Sequence, residues 1–210
     1  HTGARIPETL RIARQFLEMA EARQHTLPKV LGHRITATSQ YALGDFAQAR
    51  TGLETAISYY DEEQHGHSTF EFGQNPKSAS LAFLGITLHI LGYPDQAKKI
   101  ESAALDHAKE IEHAYTTGYV RCFGDFCAAF FRRDIYDAER SNASFLKLAD
   151  EQNFPLFNWF GEINAGWILS KQGCHDEAIV TAQSGLENLR KAGIFFLLPM
   201  VMGQVAEVLA

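Results

Sequence analysis

The chain has 210 residues, of which 46% are hydrophobic and 21% charged, and its formal net charge is −6. That composition belongs to a globular protein with a sizeable core and excludes a disordered one. With no basic stripe to offset the acidic balance, a nucleic-acid surface is not expected.

Apolar periodicity predicts about ten helices, near residues 8–24, 28–43, 46–60, 77–91, 95–112, 115–132, 135–151, 156–172, 175–192 and 197–209. No segment alternates with the period of a strand, so the fold class is all-α. The first clear turn is "GDFAQA", Gly44 to Ala49, where Asp45 caps the following helix with Gln48 placed three residues on. A long acidic stretch comes after it, "DEEQHGHSTFEFGQNP" from Asp61. His65 and His67 with Asp61, Glu62 and Glu63 could crowd a cation, or form a solvated loop with surface histidines; the plainer reading is the second. Next comes a stripe of Leu81, Leu84, Leu88 and Leu91, then Gly92, then Pro94 to start the next helix, then a second stripe of Ala97, Ile100, Ala104, Ala108 and Ile111. "VRCFGDFCAAFFRRD", Val120 to Asp134, carries four phenylalanines, too many for one narrow stripe. It reads as a helix buried on two sides or as the aromatic wall of a groove. The apolar run Ile194 to Met202 is far short of the ~20 residues that a membrane span needs, and Pro199 interrupts it.

The turn recurs. Gly44, Gly92, Arg133 and Gly173 are 48, 41 and 40 residues apart, and each is followed five residues later by alanine: Ala49, Ala97, Ala138 and Ala178. A period of this size marks stacked helical pairs. Arg133 breaks the glycine pattern, so the third turn is expected either to be built differently or to be shifted in register by one residue. The Gly-x-x-x-x-Ala turn resembles that of the tetratricopeptide repeat (TPR). Leu84, Gly85 and Leu88, and Ala165, Gly166 and Leu169, look like that family's small-and-large pattern in the first helix. The spacing exceeds the usual ~34 residues, so helices or loops are longer than in the consensus. The resemblance implies a single TPR-like α-solenoid domain over residues 1–210, a right-handed superhelix of antiparallel helices. A wider resemblance, over about residues 30–207, rests on Tyr60-Asp61, His65, Gly73 to Pro76, Leu91 to Ala97, and "ADEQNFPLFNWFGEINAGWILSKQGCHDEAI". These are similar to the C-terminal repeat region of bacterial signalling proteins that join a STAND-type predicted ATPase to a class III adenylate/guanylate cyclase or helix-turn-helix module. It implies that Tyr60 and His65 anchor a folded-back loop.

No P-loop, H-E-x-x-H, G-x-S-x-G or paired C-x-x-C motif is present, so no catalytic, cofactor or metal residue is assigned. Cys122, Cys127 and Cys174 form no disulfide framework, as in a reducing cytoplasm, and Cys122 and Cys127 read as plain buried or half-buried thiols. In TPR register the concave face carries Arg34, Thr38, Tyr41, His89, Phe123, Cys127, Phe130, Ile163 and Trp167, the candidate groove, although Trp159 and Trp167 read better as packing residues. The expected role is a non-catalytic interaction and sensor region. It would bind a protein or peptide partner or a small effector, without a cofactor, nucleic acid or membrane, and would regulate an attached catalytic module. The alternatives are a structural spacer that self-associates through its terminal helices and an unrecognised α-helical enzyme. Both ends of the chain look cut, as in a fragment of a longer protein.

Overall fold

The computed structural model describes residues 6–22, 26–194 and 198–209, and among them every regular element is a helix. The chain forms two compact units, the first running through Gly124 and the second from Asp125. The first holds α1 (Ile6–Glu21), α2 (Thr26–Ala42), α3 (Phe46–Tyr59), α4 (Glu62–His65), α5 (Ser68–Phe72), α6 (Pro76–Ile90), α7 (Pro94–Ile111) and α8 (Ala114–Val120). The second holds α9 (Cys127–Arg132), α10 (Ile135–Gln152), α11 (Pro155–Lys171), α12 (His175–Lys191) and α13 (Leu198–Leu209). A π-helical turn, Arg121–Phe126, joins α8 to α9 in one continuous helix, so the described chain has twelve helices rather than about ten. The additional two are α4 and α5, four and five residues long, in the stretch read as a loop. Helices this short do not stand on their own and depend on tertiary bonds. Asp61 caps the start of α4 by accepting from the Gln64 N–H.

All four recurring turns are built alike. Gly44 (φ 84°), Gly92 (83°), Arg133 (58°) and Gly173 (84°) each occupy the left-handed region. The next residue's N–H reaches back to the carbonyl five positions earlier, Asp45 to Gln40, Tyr93 to Leu88, Asp134 to Ala129 and Cys174 to Leu169, at 2.9–3.0 Å. This is the Schellman closure, which satisfies carbonyls orphaned at a helix end. The third turn thus shares both geometry and register with the others, contrary to either expectation for Arg133. The alanine five residues on is fully buried in each case, at Ala49, Ala97, Ala138 and Ala178. Small residues set how closely paired helices lie: a methyl added to Gly166 on α11 would stand 2.6 Å from the Ala182 Cβ of α12, and one on Gly52 would stand 2.8 Å from that of Ala37. Asn153 and Gly193 repeat the same closure between one pair and the next, Phe154 N–H to Ala149 and Ile194 N–H to Leu189.

Gly92 isolates the backbone contribution, because a Cβ there would meet nothing within 4 Å. Gly92→Ala is expected to destabilise by about 1 kcal/mol through left-handed strain alone. Urea unfolding measures it, and a stability within error of the wild type would contradict that account.

The π turn inserts one residue into the helical ladder and rotates the residues beyond it by about 100°. Face assignments carried by α-helical counting from α8 into α9 therefore slip at this point. Cys122 and Cys127 are both buried, as expected, and Cys174 is exposed.

Candidate functional site

The segment 60–76 is tied down by buried polar groups. Asn75 is fully buried, and its side chain and backbone N–H make five bonds. Its Oδ1 accepts from the Lys77 and Ser78 N–H groups, capping α6; its Nδ2 donates to the Tyr60 hydroxyl (2.8 Å) and to Thr69 Oγ1 (3.0 Å); its own N–H donates to Thr116 Oγ1 on α8 (3.0 Å). His65, expected at the surface, is 3% exposed. The Asp61 N–H donates to its Nδ1, which leaves the ring proton on Nε2 for Thr26 Oγ1 at 2.7 Å. Burial pushes His65 below the ordinary histidine value, in keeping with a neutral ring. Tyr60 lies edge-on to both His65 and His107, and burial pushes its phenol up to about 12. The anchoring by Tyr60 and His65 that the resemblance implies is therefore present, while His67 remains exposed. No group of three metal-ligating side chains suited to an ion occurs among the described residues.

His107 accepts the Ser78 hydroxyl at Nδ1 (2.7 Å) and donates from Nε2 to Glu62 (2.8 Å). The wiring is that of a Ser–His–Glu triad. Ser78, however, is fully buried in the first turn of α6, where its hydroxyl has no access to a substrate. The chain of bonds instead fastens α4 to α6 and α7.

The candidate groove residues of the first unit divide by burial. Tyr41 and Phe123 are interior, joined through Phe83, which Tyr41 meets edge-on at 5.4 Å and Phe123 meets at 5.9 Å. Tyr119 packs edge-on to Phe123 at 4.7 Å. His89, half-buried, pairs with Glu101 at 2.6 Å across the α6–α7 turn. The half-buried Thr38 spends its hydroxyl on the Arg34 and Ile35 carbonyls. Arg34 itself is half-buried, and its Nε is enclosed without a hydrogen-bond partner. Outside this set, a cavity of about 360 Å³ opens beside α3, α6 and α7, floored by Leu81, Leu84, Leu88 and Ile100 and rimmed by Glu54 and Lys99. Sequence reasoning took those leucines as a plain core stripe, and nothing in their spacing distinguishes the two.

In the second unit Ile163 and Trp167 are fully buried and Phe130 is half-buried. Phe130 meets Trp167 edge-on at 4.9 Å, Arg133 lies over the Phe130 ring and Lys171 over the Trp167 ring. Cys127 is buried with its sulfur 3.9 Å from that of Met200. The residue that organises this cluster is Glu207 on α13, which no sequence motif marks. It accepts from Arg133 through both oxygens, from the Trp167 indole N–H at 3.0 Å, and pairs with Lys171 at 3.4 Å. The clasp gives Arg133 a use that glycine could not serve.

Arg133 above all holds the Glu207 carboxyl down at about 2, below the unfolded value of about 4.3. A depressed carboxylate stabilises above its unfolded pKa, and that contribution disappears as the pH falls through its folded pKa. The stability gap between wild type and Glu207→Gln is therefore expected to be full at pH 7 and to close as the pH falls from about 4 towards 2. Urea unfolding of both proteins across that range checks it; a gap independent of pH would contradict the clasp.

No family model matches the sequence, and no curated protein matches it.

Proposed function

We propose that this chain is a non-catalytic interaction and sensor region, a TPR-like α-solenoid that regulates an attached signalling module such as a bacterial nucleotide cyclase or transcriptional regulator. The observation that carries the reading is the repeated hairpin: four turns with one left-handed closure and one buried alanine each. Repeats of this kind display the side chains of successive first helices in series, which suits extended partners and small effectors. The resemblance of residues 30–207 to cyclase- and ATPase-linked repeat regions supports the module and the cytoplasmic setting.

Phe130 supplies the test. If it is a groove anchor, Phe130→Ala abolishes binding of the partner module while helicity and melting temperature stay near wild type. If it is core, the same change costs about 3–5 kcal/mol of stability, and the groove assignment fails. The complete reading frame gives a second check: a cyclase or P-loop module encoded with this region supports the proposal, and a free-standing short frame counts against it.

One observation favours the spacer reading. On α1, Ile12, Phe16 and Met19 are exposed at helical spacing, and Met202 and Leu209 are exposed on α13. Self-association through these faces predicts a concentration-dependent mass in analytical ultracentrifugation that Phe16→Glu removes; a monomer at all concentrations would eliminate this reading.

A further inference from the structure

Arg34 is the unusual charge of the first unit. Every aspartate and glutamate of the chain lies among the described residues, and none of them pairs with it. Arg50 holds Glu54, Arg133 holds Glu207 and the well-exposed Arg140 holds Asp137, while Arg11 and Arg190 reach neutral acceptors. In an acidic chain the more enclosed arginine would be expected to find one first. A snorkelling arginine buries its methylenes and keeps its nitrogens in water. Here the enclosed, unpartnered atom is Nε itself. Its electrostatic neighbour among the described residues is the Tyr119 phenol on α8.

We propose that Arg34, with the Tyr119 hydroxyl as a second donor, is the centre of an oxyanion site that takes the carboxylate or phosphate group of a small effector. An unpaired cation with its Nε enclosed is costly, and a bound oxyanion supplies the missing counter-charge. The guanidinium is a planar fork of donors that matches a carboxylate or phosphate edge, which an ammonium does not. Burial raises the Tyr119 phenol above its ordinary value, so at neutral pH it keeps its proton and can donate alongside the guanidinium. Burial pulls the Arg34 guanidinium down from its ordinary value. The site deepens the effector side of the proposed function. It rests on that reading only in placing Arg34 on the face that meets the ligand.

Thermal unfolding at matched ionic strength tests it, with sodium chloride, sodium phosphate and sodium benzoate as the three media. The wild type is expected to show a saturable rise of roughly 3–5 °C at about ten times the dissociation constant of the ion that fits. A response to phosphate and not benzoate identifies a phosphate ligand, and the converse a carboxylic acid. Because phosphate also stabilises proteins generally by exclusion, the readout is the difference from Arg34→Met, which should show no saturable rise with either ion. Arg34→Lys keeps the charge and guards against a folding defect; it should bind about tenfold more weakly or worse, because the fork is lost. Tyr119→Phe should weaken binding without abolishing it. Equal responses in wild type and Arg34→Met would overturn the site. So would a wild type that responds to neither ion, and that result leaves the interaction reading intact, since partner binding by Phe130 variants is measured without added anion.

Discussion

Trp167→Ala is expected to destabilise the protein by about 3–5 kcal/mol, the cost of removing a large aromatic from a packed interior. Trp167 is fully buried and heads the large side chains that are. Phe126 meets it edge-on at 6.3 Å and Phe130 at 4.9 Å, so truncation leaves a cavity walled by rings that cannot easily collapse. The polar loss is smaller, because Glu207 gives up the indole N–H but keeps Arg133 and Lys171. For a chain of this length the melting temperature should fall by about 10 °C or more. Calorimetry on the single variant measures it. A fall of only a degree or two would mean that Trp167 is not a packing residue and would return it to the groove.

Asn75→Ala is expected to cost about 2–4 kcal/mol, although the side chain is small. The cap on α6 accounts for about 1 kcal/mol. The remainder comes from leaving the buried Thr69 Oγ1 and the half-buried Tyr60 hydroxyl without their shared donor. Asn75→Asp separates the contributions. It retains the acceptor for the Lys77 and Ser78 N–H groups and loses the donor, so it should recover the cap and not the network. Hydrogen exchange localises the effect: protection should fall in residues 60–73 and at the start of α6, with α10 to α12 unchanged. Uniform loss across the chain would show that Asn75 does not act through this segment.

Of the two residues, Trp167 is marked by the sequence and Asn75 hardly at all. Asn75 precedes Pro76, which marks a helix start, and that much could be read. Its bonds to Tyr60 and Thr116 join positions far apart in the chain, and no local pattern records them. His65 was misplaced at the surface for the same reason: among acidic neighbours it looks solvated until Thr26 is brought to its ring. Trp167 could be placed on a core-facing helix by periodicity, but not beside Glu207. The sequence names the candidate groove residues but does not give their exposure. Tyr41, Phe123, Ile163 and Trp167 are interior, while Arg34, Thr38, His89 and Phe130 keep part of their surface.

What the sequence determined by itself was the helical class, the approximate helix spans and the turns. These are short-range matters: a left-handed residue, a capping side chain and a buried alanine all act within one or two helical turns of each other, so Gly44, Gly92 and Gly173 announce their geometry in six residues. Tertiary structure alone decided how Arg133 came to occupy a glycine's conformation. Left-handed strain of about 1 kcal/mol is tolerated there, where the side chain clasps Glu207, 74 residues away. The two short helices of the 61–73 segment were likewise decided by distant partners, Thr26 for His65 and His107 for Glu62. The unpaired state of Arg34 became visible only when all the carboxylates had been placed, because a missing partner is a property of the whole fold and of no stretch of sequence.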